Sequence, residues 1–259
     1  MSLVHAEYLK VTRRKLLPVM AAVLGFLLAL IGVLFYVVLP ALPEAAGGGP
    51  ATALPQRPEA FIFGAQQVAG QAWWFAVILA TAIFGGELGS TVWATSLARD
   101  SRKVVHIGSR FLVFTVASWI AFLFGTAIWA LVTLLFAEGS GSLTAGEWVG
   151  LAWKCLVIAA AWTSIGLGAV GLTRSIPSAM AIALGISFVD SIVAPFVDFY
   201  ETVSLTAATN GIFGVGGEGA FSALIPGGDM SLWHALAIMA GWSLLGLGVM
   251  WWGLQRRDA

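Results

Sequence analysis

The sequence predicts an all-α, polytopic membrane protein of about six transmembrane helices with both termini in the cytoplasm, and three observations carry that prediction. The first is composition. Of 259 residues, 59% are hydrophobic and only 10% are charged, with mean hydropathy +0.92, whereas a soluble domain carries about 25% charged residues. A chain so poor in charge has lipid for its solvent. The second is the length of its apolar runs, since a spanning helix needs about 20 mostly apolar residues to cross roughly 30 Å of hydrocarbon. The third is the one-sided placing of lysine and arginine.

The runs follow in order. The first extends from Leu16 to Leu39 and the second from Val68 to Gly86. The third, Ile107 to Phe136, is long enough to tilt or to extend past the bilayer. The fourth, Trp148 to Leu172, is followed closely by the fifth, Ile176 to Val197, and the sixth runs from Leu232 to Leu254. The first run has a basic prefix, but it exceeds the apolar core of about 7–15 residues of a signal peptide and so reads as an anchor. Between spans, Pro40 to Pro58 contains Gly47-Gly48-Gly49-Pro50 and reads as an outer loop with little regular structure. The segment 198–231 is too polar and glycine-broken to span, so it is an outer loop or a segment that re-enters the membrane. The whole chain, 1–259, is a single transmembrane domain.

Cytoplasmic flanks keep an excess of Lys and Arg. With the N-terminus inside, Lys10, Arg13, Arg14, Lys15, Arg99, Arg102, Lys103, Arg110, Arg174, Arg256 and Arg257 fall on the cytoplasmic side, leaving only Arg57 and Lys154 for the other. The twelve Trp suit the headgroup regions, where indole rings concentrate. A net charge of zero argues against nucleic acid as a partner. The single Cys155 excludes an intrachain disulfide. No glycosylation sequon occurs, which accords with a bacterial source and an inner-membrane location.

Several motifs bear on chemistry. Residues 1–15 form an amphipathic N-terminal helix with Val4, Tyr8 and Val11 on one face and Glu7, Lys10 and Arg14 on another. It either lies along the inner leaflet or merely supplies flanking positive charge. The loop 87–106 sets a carboxylate, Glu87, at the end of a span, then a semi-polar run, then the basic cluster Arg99, Arg102 and Lys103. That order makes either a rigid protrusion for a cytoplasmic partner to grip or an ordinary charged loop. Lys154 and Asp190 lie inside spans, roughly 10 Å from the outer end at 1.5 Å per residue. Intramembrane charges mark functional sites by default. The two either pair, or Lys154 snorkels to the headgroups while Asp190 faces a watery cavity.

Two Gly-x-Gly-x-x-Gly patterns, at Gly166–Gly171 and Gly214–Gly219, lack the strand context of a dinucleotide site. The first reads as small residues that let helices approach closely, the second as a flexible outer loop. His5, His106 and His234 are scattered without metal-ligand spacing, and no nucleophile–base arrangement stands out, so neither a metal nor an enzymatic activity is expected.

The start at Glu7 and Lys10, six spans, and the loop residues Glu87, Gly89, Ser90, Thr91, Leu97, Ser101, Arg102 and Lys103 together resemble the membrane permeases of the ABC-2 transporter family. Arg110 stands near where that family often has lysine, and Arg99-Asp100 replaces the proline usual before the Ser-Arg pair. The resemblance implies a transmembrane permease subunit of an ABC exporter. It would work as a homo- or heterodimer with a second permease chain and with separate cytoplasmic ATPase subunits. The coupling loop would comprise Glu87, Gly89, Thr91, Arg99, Asp100, Ser101, Arg102 and Lys103, and residues 1–15 would form a connecting helix. The chain lacks Gly-x-x-x-x-Gly-Lys-Ser/Thr, so no cofactor is expected on it and ATP would be hydrolysed by the partner. The alternative is an ion-gradient-driven secondary transporter or channel-like protein with Asp190 and Lys154 in its pathway.

Overall fold

The computed structural model describes residues 3–13, 15–38, 57, 59–71, 73–88, 90, 93, 102–137, 139–193, 196–214 and 230–256, and within them the only regular structure is helical. Helix α1 is Leu3–Arg13. Helix α2, Leu16–Val38, ends in a π-helical turn, Leu34–Val38. Helix α3, Glu59–Leu88, is described over Glu59–Gln71 and from Trp73 onward, with a π-helical turn at Thr81–Gly85. Then come α4 (Lys103–Phe136), α5 (Ala145–Thr173), α6 (Ile176–Val193), α7 (Asp198–Glu201), α8 (Leu205–Phe213) and α9 (Leu232–Gln255). Six of them, α2 to α6 and α9, are long and apolar enough to cross a membrane. The chain is thus a multi-pass membrane protein, as its composition predicts.

The surface supports this independently. Val19, Phe26 and Leu30 on α2, Leu131 and Leu135 on α4, and Leu244 and Leu245 on α9 all point outward. Apolar side chains displayed continuously along several helices have no place in water and suit acyl chains.

Boundaries shift where polar residues mislead hydropathy. Helix α3 begins at Glu59, well before Val68, because Gln66 is hydrogen-bonded inside the bundle and costs little there. Helix α6 is described to Val193, and residues 194 and 195 of the expected span to Val197 lie outside the described residues. The connection 87–106 is shorter at both ends, as Glu87 and Leu88 finish α3 while Lys103 to His106 already belong to α4. Of the segment Pro40 to Pro58, only Arg57 is described; it donates to the Leu134 carbonyl at 2.5 Å. Segment 198–231 contains α7 and α8, and α8 is buried along nearly its whole length.

Helix α5 lies at the centre. It starts in a capping box in which Thr144 and Glu147 satisfy each other's backbone N–H groups. It ends at Arg174, whose left-handed φ of 51° turns the chain directly into α6. The glycines at 166–171 act as spacers, as expected. A Cβ on Gly168 would lie 2.7 Å from the Gly246 carbonyl oxygen, and one on Gly171 would lie 2.7 Å from the Met250 Cα. From the other side, a Cβ on Gly246 would lie 2.5 Å from the Ser164 backbone. Helices α5 and α9 therefore meet backbone to backbone, a contact only small residues allow.

Candidate functional site

Two polar assemblies are built inside this apolar frame. The first joins α1, the end of α3 and the start of α4. Arg110 of α4 is 0% exposed, a situation a guanidinium tolerates only when its charge is paired. Its Nη2 lies 2.6 Å from Glu87 Oε2 and 3.3 Å from Glu7 Oε1. Lys10 Nζ closes the ring, 3.0 Å from Glu7 Oε1 and 2.9 Å from Glu87 Oε1. Two cations alternate with two carboxylates, so the cluster is neutral. The guanidinium also sits 4.7 Å from the Phe84 ring centre and 4.9 Å from that of Trp93, both in range for cation–π attraction. The Glu7 and Glu87 side chains are 3% and 5% exposed, and Lys10, at 31%, is the open corner.

This geometry corrects one expectation. Glu87 does not protrude for a partner to grip, because its carboxylate is spent inside on Arg110 and Lys10. Val4, Tyr8 and Val11 lie along one side of α1, which the bundle covers at Val11 and leaves exposed at Val4 and Tyr8. Helix α1 is turned by the need to bring a carboxylate to Arg110. Of the remaining loop residues, Arg102 is exposed and Lys103 half-buried; Gly89, Thr91, Arg99, Asp100 and Ser101 lie outside the described residues.

The second assembly surrounds α8. Asp190 of α6 is 1% exposed, and its carboxylate accepts from Leu205 N at 3.1 Å, from Thr206 N at 2.7 Å and from Thr206 Oγ1 at 2.6 Å. Ser204 Oγ accepts from Ala207 N at 3.1 Å, so the first turn of α8 is capped from its own chain and from a neighbouring helix. At the other end the Lys154 ammonium lies 5.6 Å from the ring centre of Phe213, the last residue of α8. Lys154 and Asp190 thus form no ion pair with each other. They bracket one helix instead, carboxylate at its positive end and ammonium at its negative end, the arrangement a helix dipole favours.

Beside α8 is a cavity of about 290 Å³, lined by Gln66, Gln67, Gly70, Gln71 and Trp73 of α3, Trp162 of α5, Ser187 and Ser191 of α6, and Leu205, Thr206, Thr209 and Asn210 of α8. Gln66 Nε2 donates to Asn210 Oδ1 at 2.7 Å, tying α3 to α8. Trp73 and Trp162 stack at 5.3 Å between ring centres. The sequence reading passed over these residues, yet a signal existed. Gln67 and Gln71, Ser187 and Ser191, and Thr206 and Asn210 are each four apart, which is one polar stripe per helix. A second, almost wholly apolar cavity of about 370 Å³ lies between α4 and α5 around Trp148, Leu151 and Cys155. Among the described residues no group of three or more His, Cys, Asp or Glu side chains is arranged to hold a metal ion.

In comparison with known proteins, no family model matches the chain and no curated protein matches it.

Proposed function

We propose that this protein is the transmembrane permease subunit of an ATP-driven exporter, with its cationic end in the cytoplasm and its power stroke supplied by separate ATPase subunits. One observation carries the reading: the neutral ring of Glu7, Lys10, Glu87 and Arg110 fastens α1 to both helices that flank the connection 88–102. A force applied to that connection reaches α1, α3 and α4 together, because separating any corner exposes an unpaired buried charge. This is the mechanical property a coupling element needs. In this reading two permease chains enclose the pathway in a bacterial inner membrane, α1 is the connecting helix, and α8 is the buried part of a re-entrant gate opposite the ATPase. Cycles of ATP binding in the partner rock the charged corner and switch access at the other end. The test is co-purification from the native host. A bound ATPase whose turnover falls when Arg102 is replaced by Ala supports the reading, and transport by the lone chain in ATP-free vesicles refutes it.

A second reading has its own observation. The polar cavity, flanked by the Asp190 and Lys154 that hold α8, suits a transporter driven by an ion gradient. Uptake that follows an imposed ion gradient and is abolished by an ionophore would favour it.

A further inference from the structure

We infer that the cavity between α3, α6 and α8 binds an uncharged, hydroxyl-rich group, a sugar ring or comparable polyol. Among the described residues its walls carry amides, hydroxyls and indoles but no charged side chain. Asp190 stands next to it, between Ser187 and Ser191, but both of its carboxylate oxygens are already engaged by donors of α8. A cationic ligand would find no free carboxylate there and an anionic one no basic partner. An apolar ligand would strip water from the amides and leave them unpaired, which is strongly disfavoured. What remains is a neutral molecule that both donates and accepts hydrogen bonds.

Gln66 supplies an independent sign. It is 5% exposed, its Nε2 is committed to Asn210, and its carbonyl oxygen Oε1 has no donor. A buried acceptor without a donor, on a residue that lines a polar cavity, calls for a partner of the kind a ligand hydroxyl supplies. The volume, about 290 Å³, lies at the small end of ligand pockets and admits one ring-sized group. Trp73 and Trp162 add apolar indole surface of the sort that packs on the C–H face of a sugar ring. The ring can belong to a glycolipid headgroup or to a free sugar, since both offer the same chemistry to these walls.

Calling the bound group the transported cargo rests on the permease reading, whereas binding itself does not. The experiment therefore uses the full chain alone, without ATPase, and counts retained ligand by native mass spectrometry. The probes are monoglucosyl diacylglycerol, diacylglycerol, phosphatidylcholine and phosphatidylglycerol in mixed micelles, and methyl glucoside in solution. The expected result is at least tenfold preferential retention of a glucose-bearing probe, lowered about tenfold by Gln66→Leu and by Thr209→Val and untouched by Leu131→Ala on the lipid face. Retention of the glycolipid alone assigns a headgroup, and retention of methyl glucoside as well assigns a free sugar. Should Gln66→Leu fail to fold, Thr209→Val carries the test, because that hydroxyl otherwise only donates to the Leu205 carbonyl of its own helix. Equal retention of phospholipid, no retention of any glucose probe, or binding indifferent to the folded variants overturns the inference. A chain that binds glucose probes but recruits no ATPase sinks the exporter reading and leaves this one standing.

Discussion

Replacing Arg110 by Met turns the neutral four-membered ring into one with a net charge of −1, leaving Glu7 and Glu87 to share Lys10. Removing one partner of a buried pair costs about 3–5 kcal/mol, because the abandoned charge stays desolvated. Lys10 still touches both carboxylates and is partly exposed, so the lower end, about 3 kcal/mol, applies here. That is on the order of a hundredfold in the unfolding equilibrium. Glu87→Gln has the opposite sign, +1, and a comparable cost. The double variant restores neutrality by leaving Lys10 with Glu7, so its cost falls well short of the sum. Equilibrium unfolding of the four proteins in mixed micelles measures the coupling, expected at about 1.5 kcal/mol or more, within the range of directly interacting residues. A second readout is local: trypsin should cut after Lys10 or Arg13 sooner in Arg110→Met, as α1 loses its anchor. If the single effects add within about 0.5 kcal/mol, the ring is not a unit and the coupling argument fails with it.

Other outcomes follow from the same geometry. Asp190→Asn strips charge from the cap of α8 and should cost about 1.5–3 kcal/mol, with faster hydrogen exchange at the Leu205 and Thr206 amides as its signature. Lys154→Met and Asp190→Asn should be additive within about 0.5 kcal/mol, since they hold opposite ends of α8 and not each other. Gly246→Leu should part α5 from α9 at a cost of about 3 kcal/mol or more, beyond ordinary overpacking because the obstacle is backbone, and a cysteine pair across the seam should then crosslink more slowly. Burial, and after it the negative charge of Asp190, holds the Tyr200 phenol above the usual tyrosine range. The folded chain therefore keeps that proton more tightly than the unfolded one. The stabilisation is complete below about pH 10 and is lost as pH rises through the raised value. Ultraviolet titration of wild type minus Tyr200→Phe should show the late ionisation, and Asp190→Asn should move it earlier.

Much of the frame was legible because lipid imposes long apolar runs whatever the tertiary packing, and the six runs became α2 to α6 and α9, with ends displaced by a few residues except at the start of α3, which lies at Glu59 instead of Val68. The glycines at 166–171 were legible for a related reason: repeated small residues on one helix have few uses besides close approach. Glu87, Lys154 and Asp190 stood out as charges in costly places. Their partners did not. Glu87 meets Lys10 from the far start of the chain, and Asp190 meets backbone amides that carry no residue-type signature at all. Periodicity assigned Glu7 and Lys10 to a polar face, but it could not tell that the polar side of α1 turns inward to a buried guanidinium. The polar cavity was missed because each helix contributes only two or three modest side chains, and their convergence exists solely in three dimensions.

The charged ring also sets an order of events during synthesis. Glu7 precedes Arg110, one of its two cationic partners, by about a hundred residues, with two candidate spans between them. Until Arg110 is made, α1 has to wait at the membrane surface with its carboxylate hydrated. The docking of α1 is complete only once α4 is in place, because Arg110 supplies the fully buried corner of the ring.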